Sequence, residues 1–473
     1  MSWLEAGFIA YLASMNAYQT MLVMLALIEV LQRRSLRLPE LDSAVLSSAN
    51  TPPITIIAPA YNEEANIEDS VRAFLQVVYP SLKLVVVNDG SKDGTLARLQ
   101  ERFELVPTDL VVRGDLKTQP IRGLYQSRVD ERLLVVDKEN GGKADALNVG
   151  INVARSPLVC CVDADSVIDR RALLRMVEPY LYSDRAVVAV GGTVMPANGS
   201  SIRDGIVEAS GLPRSWLARF QLVEYLRAFV FARMGFNRLG GNLIISGAFG
   251  LFQREAVIAA GGYLTDTVGE DAELVVRIHR VMRQKKRPYR VVHISEPVCF
   301  TEVPESLRML GRQRDRWQRG LVDTLWRHRA MMFNPRYGTV GLSTLPMFFL
   351  FELLAPCVEL LGYLWFCKAL LLGGLNRPFA QLFFVLAFFW GLLLSVQGLV
   401  LEALDRPGER PLRQTLQLTL VAALEGFGYR QLTLWFRFRG VIKFLTGEKS
   451  WGEMKRKGLR RPKAEEANVK TAN

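Results

Sequence analysis

Histidine is scarce in this 473-residue chain: there are three, widely scattered, which leaves no ligand set for a zinc centre. Cysteine is scarce too. The five present (Cys160, Cys161, Cys299, Cys357, Cys367) are odd in number and lack C-x-x-C spacing, so neither a disulfide scaffold nor a zinc ribbon is expected, and they read as reduced, structural thiols. The polar part of the chain has no Lys/Arg-rich helix with interleaved base-stacking aromatics, so nucleic acid is not an expected partner. What the chain has in quantity is apolar residues, 49%, beside a formal charge of +12 from 59 basic and 47 acidic residues. That pairing suits membrane segments joined to a basic cytoplasmic face.

Residues 6–31 form an apolar stretch whose only charge is Glu29, long enough to span a bilayer. A basic leading region and a small-residue cleavage site are both missing, so it reads as an anchor and not a signal peptide. Arg33, Arg34 and Arg37 follow at once, which places the next domain in the cytoplasm. A polar linker runs from Pro39 to Pro53. Near Asn334 the composition turns apolar again, and residues 342–372 and 379–401 are each long enough to cross. Residues 415–427 are shorter, hold Glu425, and read equally well as a re-entrant or tilted helix and as a full span. Residues 437–463 carry ten basic and two acidic residues, a net charge of +8, so the tail is expected in the cytoplasm. Two clean spans after the soluble domain satisfy that. Within the first of them, Glu352 and Glu359 lie seven apart on one helix face. They fit either a polar acceptor path or pairing with Arg430 or another helix.

Between the membrane segments the pattern alternates. Apolar runs at 54–58, 84–88, 133–137, 158–162 and 186–190 read as strands; helices are expected over 64–77, 93–102, 143–154, 170–180, 213–234 and 270–283. Such alternation implies a parallel-rich α/β sheet. Residues 104–132 read as a charged insertion with a short strand at Leu110-Val111-Val112.

Chemistry-bearing residues gather at the expected carboxyl ends of these strands, where open α/β sheets bind ligands. Pro59-Ala60-Tyr61-Asn62-Glu63-Glu64 ends the first strand, and Asn88-Asp89-Gly90-Ser91 the second. Asn140-Gly141-Gly142-Lys143 opens a helix with a lysine suited to a phosphate. Asp163-Ala164-Asp165 follows the buried run 158–162, and two carboxylates so spaced can reach a divalent cation on a diphosphate. Ser246-Gly247-Ala248-Phe249-Gly250 is a glycine-rich loop, Gly269-Glu270-Asp271 starts a helix, and Gln313-Arg314-Asp315-Arg316-Trp317 precedes the membrane block. Singly, each has an ordinary explanation in turn chemistry, helix entry or an interfacial tryptophan.

In this order and at these spacings, the Asp-x-Asp, Gly-Glu-Asp and Gln-x-x-Arg-Trp set resembles the membrane-bound family 2 glycosyltransferases: the cellulose, hyaluronan, chitin-oligosaccharide and poly-N-acetylglucosamine synthases. The resemblance covers residues 54–317 and extends loosely into the helices beyond. It implies a GT-A (Rossmann-like) α/β domain with flanking transmembrane and interfacial helices, and inverting transfer from a nucleotide sugar, expected to be a UDP-sugar. By motif, Tyr61 and Asp89 would hold the nucleoside, with Asp163 contributing and Glu63 in the same nucleotide-sugar site. Lys143 would contact the phosphates, Asp165 would ligate Mg²⁺ or Mn²⁺, and the loop around Ser246 would face the donor sugar. Asp271 would be the base. Gln313, Arg316 and Trp317 would hold the pyrophosphate and the acceptor terminus. A base opposite the leaving group turns an α-linked donor into a β-glycoside.

The expected organisation is an anchor at 1–37, a cytoplasmic catalytic domain at 50–300, interface helices at 301–340, a membrane block at 341–440 and a basic tail at 441–473, in a bacterial-type inner membrane. Expected partners are the donor, a glycan or lipid acceptor and membrane lipids; accessory export subunits and self-association stay open. One span before the domain and few after it make a small block for a translocation channel, so transfer is the firmer implication. The alternatives are transfer of one sugar to a membrane lipid, and a non-catalytic scaffold or transporter that kept the fold.

Overall fold

The computed structural model describes residues 2–36, 45–46, 48, 50–203, 206–209, 211–374 and 376–448. Much of the expected linker (39–44, 47 and 49) and the basic tail beyond Glu448 lie outside the described residues. The strands are β1 (Ile54–Ala60), β2 (Leu82–Asn88), β3 (Leu105–Pro107), β4 (Ile121–Ser127), β5 (Leu133–Lys138), β6 (Leu158–Val162), β7 (Val167–Ile168), β8 (Val187–Pro196), β9 (Ser201–Arg203), β10 (Ile206–Ala209), β11 (Phe249–Gln253) and β12 (Arg290–Thr301). One mixed sheet has the order β3-β4-β5-β2-β1-β6-β11-β8-β12-β7, and β9 with β10 forms a separate ribbon.

The apolar runs decide the centre of this sheet. Neighbouring pairs among β5, β2, β1 and β6 are parallel, and successive side chains of each strand point to opposite faces. Ile54, Ile56 and Ala58 therefore enter one core with Leu84, Val86 and Cys160, while Ile57 enters the other with Val85, Val159 and Leu147. Strands buried on both faces read as continuous apolar runs and not as alternation. Each fully buried Ile or Val contributes about 1.5–3 kcal/mol. Parallel pairing also sets the four carboxyl ends side by side, so Tyr61, Asp89, Asn140 and Asp163 follow one edge. β11 is antiparallel to β6, with Phe249 opposite Val162, and this brings the Ser246 loop to that same edge.

The sheet holds strands that the sequence pattern does not announce, the short β7 and the central β11 among them. Residues 104–132 hold β3 and β4, both antiparallel additions, whereas Leu110-Val111-Val112 forms no strand and Val111 is exposed. β12, the 12-residue strand parallel to β8, has no counterpart in the sequence pattern. Its apolar run is broken by His293, Ser295, Glu296 and Pro297, and its register shifts around Pro297.

Three helices are long and apolar enough to cross a membrane: Trp3–Arg33, Val340–Leu371 and Arg377–Asp405. Polar contacts fasten the first to the other two. Tyr11 Oη donates to Leu350 O (2.7 Å), Asn16 Nδ2 to Leu386 O (2.9 Å), and Trp390 Nε1 to Thr20 Oγ1 (3.2 Å). Within lipid, hydrogen bonds between helices do this work because apolar surface gains nothing by leaving apolar lipid. The helix Leu412–Glu425 has 14 residues, about 21 Å, against a hydrocarbon core of about 30 Å; alone it is too short to cross. Gly428 separates it from the helix Tyr429–Leu445. Both membrane acids are ion-paired: Glu359 with Arg430 (2.9 Å) and Glu352 with Arg437 (2.9 Å).

Candidate active site

Every site residue singled out above lines one cavity of about 1100 Å³ at the carboxyl edge of the sheet. Tyr61 is 45% exposed at its rim, and Glu63 lies beside it on the loop after β1. Asp89 is deeper, at 3% exposure. Its Oδ1 accepts from Lys138 Nζ (2.5 Å) and Gly141 N (3.0 Å), and its Oδ2 from Gly142 N (2.8 Å) and Asn140 Nδ2 (3.2 Å). The buried Lys138 also pairs with Asp145 at 2.7 Å. Asp89 thus fastens the loop that opens the helix Lys143–Val153, whose turn at Gly142 has φ +85°, a left-handed value glycine adopts without strain. Sequence reasoning missed the pairing of Lys138 with Asp145, because a charge at the end of β5 and another in the first turn of the next helix look solvent-exposed until the loop closes over them. Asp89→Ala leaves Lys138 short of a partner and two loop amides without acceptors. The expected loss is about 3–5 kcal/mol of stability, read by thermal unfolding of the purified protein. An unchanged midpoint would leave Asp89 no role in holding the loop.

Lys143 is where three motifs meet. Its Nζ lies 2.5 Å from Asp163 Oδ1 and 3.7 Å from Glu270 Oε1, and donates to Gly247 O at 3.3 Å. Burial works against its charge, but Asp163, Glu270 and Asp271 outweigh that and hold the ammonium above its ordinary range. The side chain therefore keeps its positive charge where three carboxylates converge in the cavity wall.

Glu270 and Asp271 separate by position. Glu270 is buried and faces Lys143; burial pushes its carboxyl up, Lys143 opposes this, and Asp271 adds to it. Asp271 is half-exposed to the cavity. Its Oδ2 accepts from Gly247 N (2.8 Å) and its Oδ1 from Ala272 N (2.8 Å). Leu274, Val275 and Ile278 bury the helix Glu270–Gln284 against the sheet, as its spacing implied. From the other side, Gly269 meets Gly320 so closely that a Cβ on Gly269 would lie 3.0 Å from the Gly320 Cα. That approach ties the acidic turn to the helix Leu307–Arg327, which carries Gln313, Arg316 and Trp317. Trp317 presents 45% of its surface.

Arg233 and Arg314 also line the cavity wall and were given no role from sequence. Arg233 lies on the π-helical turn Arg227–Arg233 with its guanidinium 4.0 Å over the Phe229 ring. Burial pushes it down to about 10, with Asp271 opposing. Arg314 is packed over Trp317.

Among the described residues no cluster of three or more His, Cys, Asp or Glu could hold a metal ion alone. The donors fit Mg²⁺ or Mn²⁺ nonetheless. Such ions are commonly held by one or two carboxylates, with substrate phosphates and water completing the shell, and Asp163 and Asp165 both line the cavity.

Two family models match: glycosyl transferase family 2 over residues 55–259 and glycosyl transferase family group 2 over residues 158–394. The chain belongs to the family 2 glycosyltransferases. The α/β sheet is the GT-A domain of this glycosyltransferase, and the three apolar helices flank it. Its curated relatives include the poly-beta-1,6-N-acetyl-D-glucosamine synthases of Staphylococcus aureus strain COL, 30% identical over 275 residues, and of Staphylococcus epidermidis, 28% identical. Each match takes in 58% of this chain and 56% of the relative, so the chain spans little more than half the length of these relatives. Among solved structures, a mannosyltransferase from Pyrobaculum calidifontis in complex with GDP-Man and Mn²⁺ is similar at 20% identity, covering 93% of this chain and 100% of that one with a TM-score of 0.48. Glucosyl-3-phosphoglycerate synthase from Mycobacterium tuberculosis, with Mn²⁺, UDP and glucosyl-3-phosphoglycerate, is 16% identical over 61% of this chain and 85% of that one, with a TM-score of 0.37.

Proposed function

We propose that the glycosyltransferase moves a sugar, with inversion, from a UDP-sugar to the end of a growing β-linked glycan at the cytoplasmic face of the inner membrane. One observation carries this reading: a single cavity is lined by Asp163, Asp165, Lys143, Asp271 and Trp317, and also by Phe351, Glu359 and Leu394 of the membrane helices. Donor chemistry, base and an acceptor platform share one space, and that space leads toward the membrane.

In this reading Tyr61 stacks on the base, Glu63 borders the same nucleotide pocket, and Lys143 neutralises the diphosphate. A divalent cation held through Asp165, with Asp163 beside it, supplies further charge neutralisation to the leaving group. Ser246 faces the donor sugar, and Gln313 and Arg316 approach the pyrophosphate. Asp271 takes the proton of the acceptor hydroxyl. That hydroxyl ionises far above neutral pH, so attack needs a base within hydrogen-bond reach. Asp271 is held by the Gly247 amide of the donor loop, which fixes the base relative to the sugar. Attack opposite the leaving group yields the β-glycoside.

The ion-paired Glu359 and Glu352 line the same cavity, so both sequence readings of these acids are compatible: they assemble the helices and leave a polar wall. The continuity of the cavity also favours, as a second reading, a lipid acceptor reaching in from the membrane. The net +8 tail supports a cytoplasmic carboxyl terminus, which a reporter fused after Asn473 tests; a periplasmic signal would reverse that topology. The functional test is a panel of nucleotide sugars with Mn²⁺ or Mg²⁺. UDP-N-acetylglucosamine comes first, since the relatives named above are synthases of an N-acetylglucosamine polymer. Metal-dependent release of nucleoside diphosphate with one donor is expected, and release with none would defeat the proposal.

A further inference from the structure

Trp317 stands on a foundation that the motif does not include. The Arg314 guanidinium lies 4.3 Å from the centre of its ring, and Tyr225 is tilted against it at 6.5 Å. Arg314 is 2% exposed. Its Nη2 donates to Glu224 Oε2 at 2.7 Å, while Nε and Nη1 are buried without a hydrogen-bond partner. Burying a cation is costly, the Tyr225 and Tyr429 hydroxyls lie against the same guanidinium, and the charge on Glu224 would be met as well by lysine. The planar face on the indole is what only arginine supplies here.

The foundation extends further. The same Glu224 oxygen accepts from Tyr429 Oη at 2.8 Å, and Tyr429 stacks on Phe220 at 5.0 Å. Tyr429 begins the helix Tyr429–Leu445, and its neighbour Arg430 is tied to Glu359 of the membrane helix. A chain of contacts thus runs from the membrane block through Tyr429, Glu224 and Arg314 to the ring of Trp317, which stays 45% exposed in the cavity wall.

We infer that Arg314, held by Glu224 and Tyr429, is the positioning residue of the acceptor site, fixing the tilt of Trp317 so that its exposed surface receives the terminal sugar. This rests on the reading of Trp317 as the acceptor platform. A pyranose presents an apolar C–H face, and an aromatic ring held at a fixed angle binds it without first losing rotamer freedom. Arg314→Lys keeps the charge for Glu224 and loses the plane. Tyr429→Phe removes one hydrogen bond from Glu224 and keeps the stacking on Phe220.

The test uses the full chain in nanodiscs with Mn²⁺, UDP-N-acetylglucosamine and a β-1,6-linked N-acetylglucosamine tetrasaccharide. It reads the KM for the tetrasaccharide, kcat, and UDP affinity. Arg314→Lys should raise the acceptor KM about tenfold and leave kcat and UDP affinity within about twofold; Tyr429→Phe should act in the same direction, about threefold. The double variant Arg314→Lys/Trp317→Ala should be no worse than Trp317→Ala alone, since a residue acting through the ring has nothing to act on once the ring is gone. If Trp317→Ala raises the acceptor KM while neither Arg314→Lys nor Tyr429→Phe does, or if the two substitutions add in full, the positioning role is wrong and the acceptor reading stands. If Trp317→Ala leaves the acceptor KM unchanged, the acceptor reading itself falls and this inference with it. A parallel loss of UDP affinity in Arg314→Lys or Tyr429→Phe would mark a general folding defect and equally overturn the positioning role. Should Arg314→Lys not fold, Tyr429→Phe and Glu224→Gln carry the same comparison.

Discussion

Asp271→Asn is expected to lower turnover by about 10²–10⁴-fold, the usual worth of general-base catalysis, while UDP affinity in the presence of Mn²⁺ stays near that of the parent chain. The expectation follows from where the carboxylate sits. One oxygen accepts from Gly247 N and the other from Ala272 N, so its position is set by the donor loop and its own helix start. Asparagine keeps the shape and one of these two hydrogen bonds, at a cost of about 1 kcal/mol, but takes no proton. Glu270→Gln supplies the comparison. Glu270 is buried and faces Lys143, so its substitution should disturb the phosphate side of the cavity and lower UDP affinity. Near-normal turnover in Asp271→Asn, or a loss of UDP binding that matches the loss of turnover, would remove Asp271 from the role of base.

The second large effect concerns the metal. Asp165→Ala should abolish the Mn²⁺-dependent part of UDP affinity, leaving the affinity that the parent chain shows in chelator, as read by calorimetry with and without Mn²⁺. Asp163 commits one oxygen to Lys143 at 2.5 Å, and Asp165 lies two residues on, in the same cavity wall. A diphosphate bound without its cation keeps charge that Lys143 alone neutralises poorly. Mn²⁺-dependent affinity that survives in Asp165→Ala would move the metal ligand elsewhere. The same variant should lose transfer activity, but the binding readout separates loss of the cation from loss of the base.

The sequence announced the residues that line this cavity more clearly than their supports. Asp163 and Asp165 were legible because an uninterrupted apolar run, Leu158 to Val162, places them at a strand end whichever strands lie beside it. Lys143 was legible because glycines open its helix. Asp89 was legible as a residue of the site, yet its four hydrogen bonds to Lys138, Asn140, Gly141 and Gly142 were not, since they form only when β2 and β5 lie side by side. β12 was hidden because His293 and Pro297 interrupt its run, and a strand tolerates both when its register shifts around them. Glu224, Arg233 and Arg314 read as ordinary surface charges on amphipathic stretches. Tertiary partners such as Phe229, Trp317 and Tyr429 bury Arg314 and half-bury Glu224 and Arg233, and no local pattern announces them.

The most direct test of the account is mass and anomeric analysis of what the purified full chain makes from Mn²⁺ and the UDP-sugar that the panel identifies. The expected product is a ladder of β-linked oligosaccharides spaced by one sugar, with one UDP released for every sugar added. An α-linked product, or a lipid bearing a single sugar and no ladder, would contradict it.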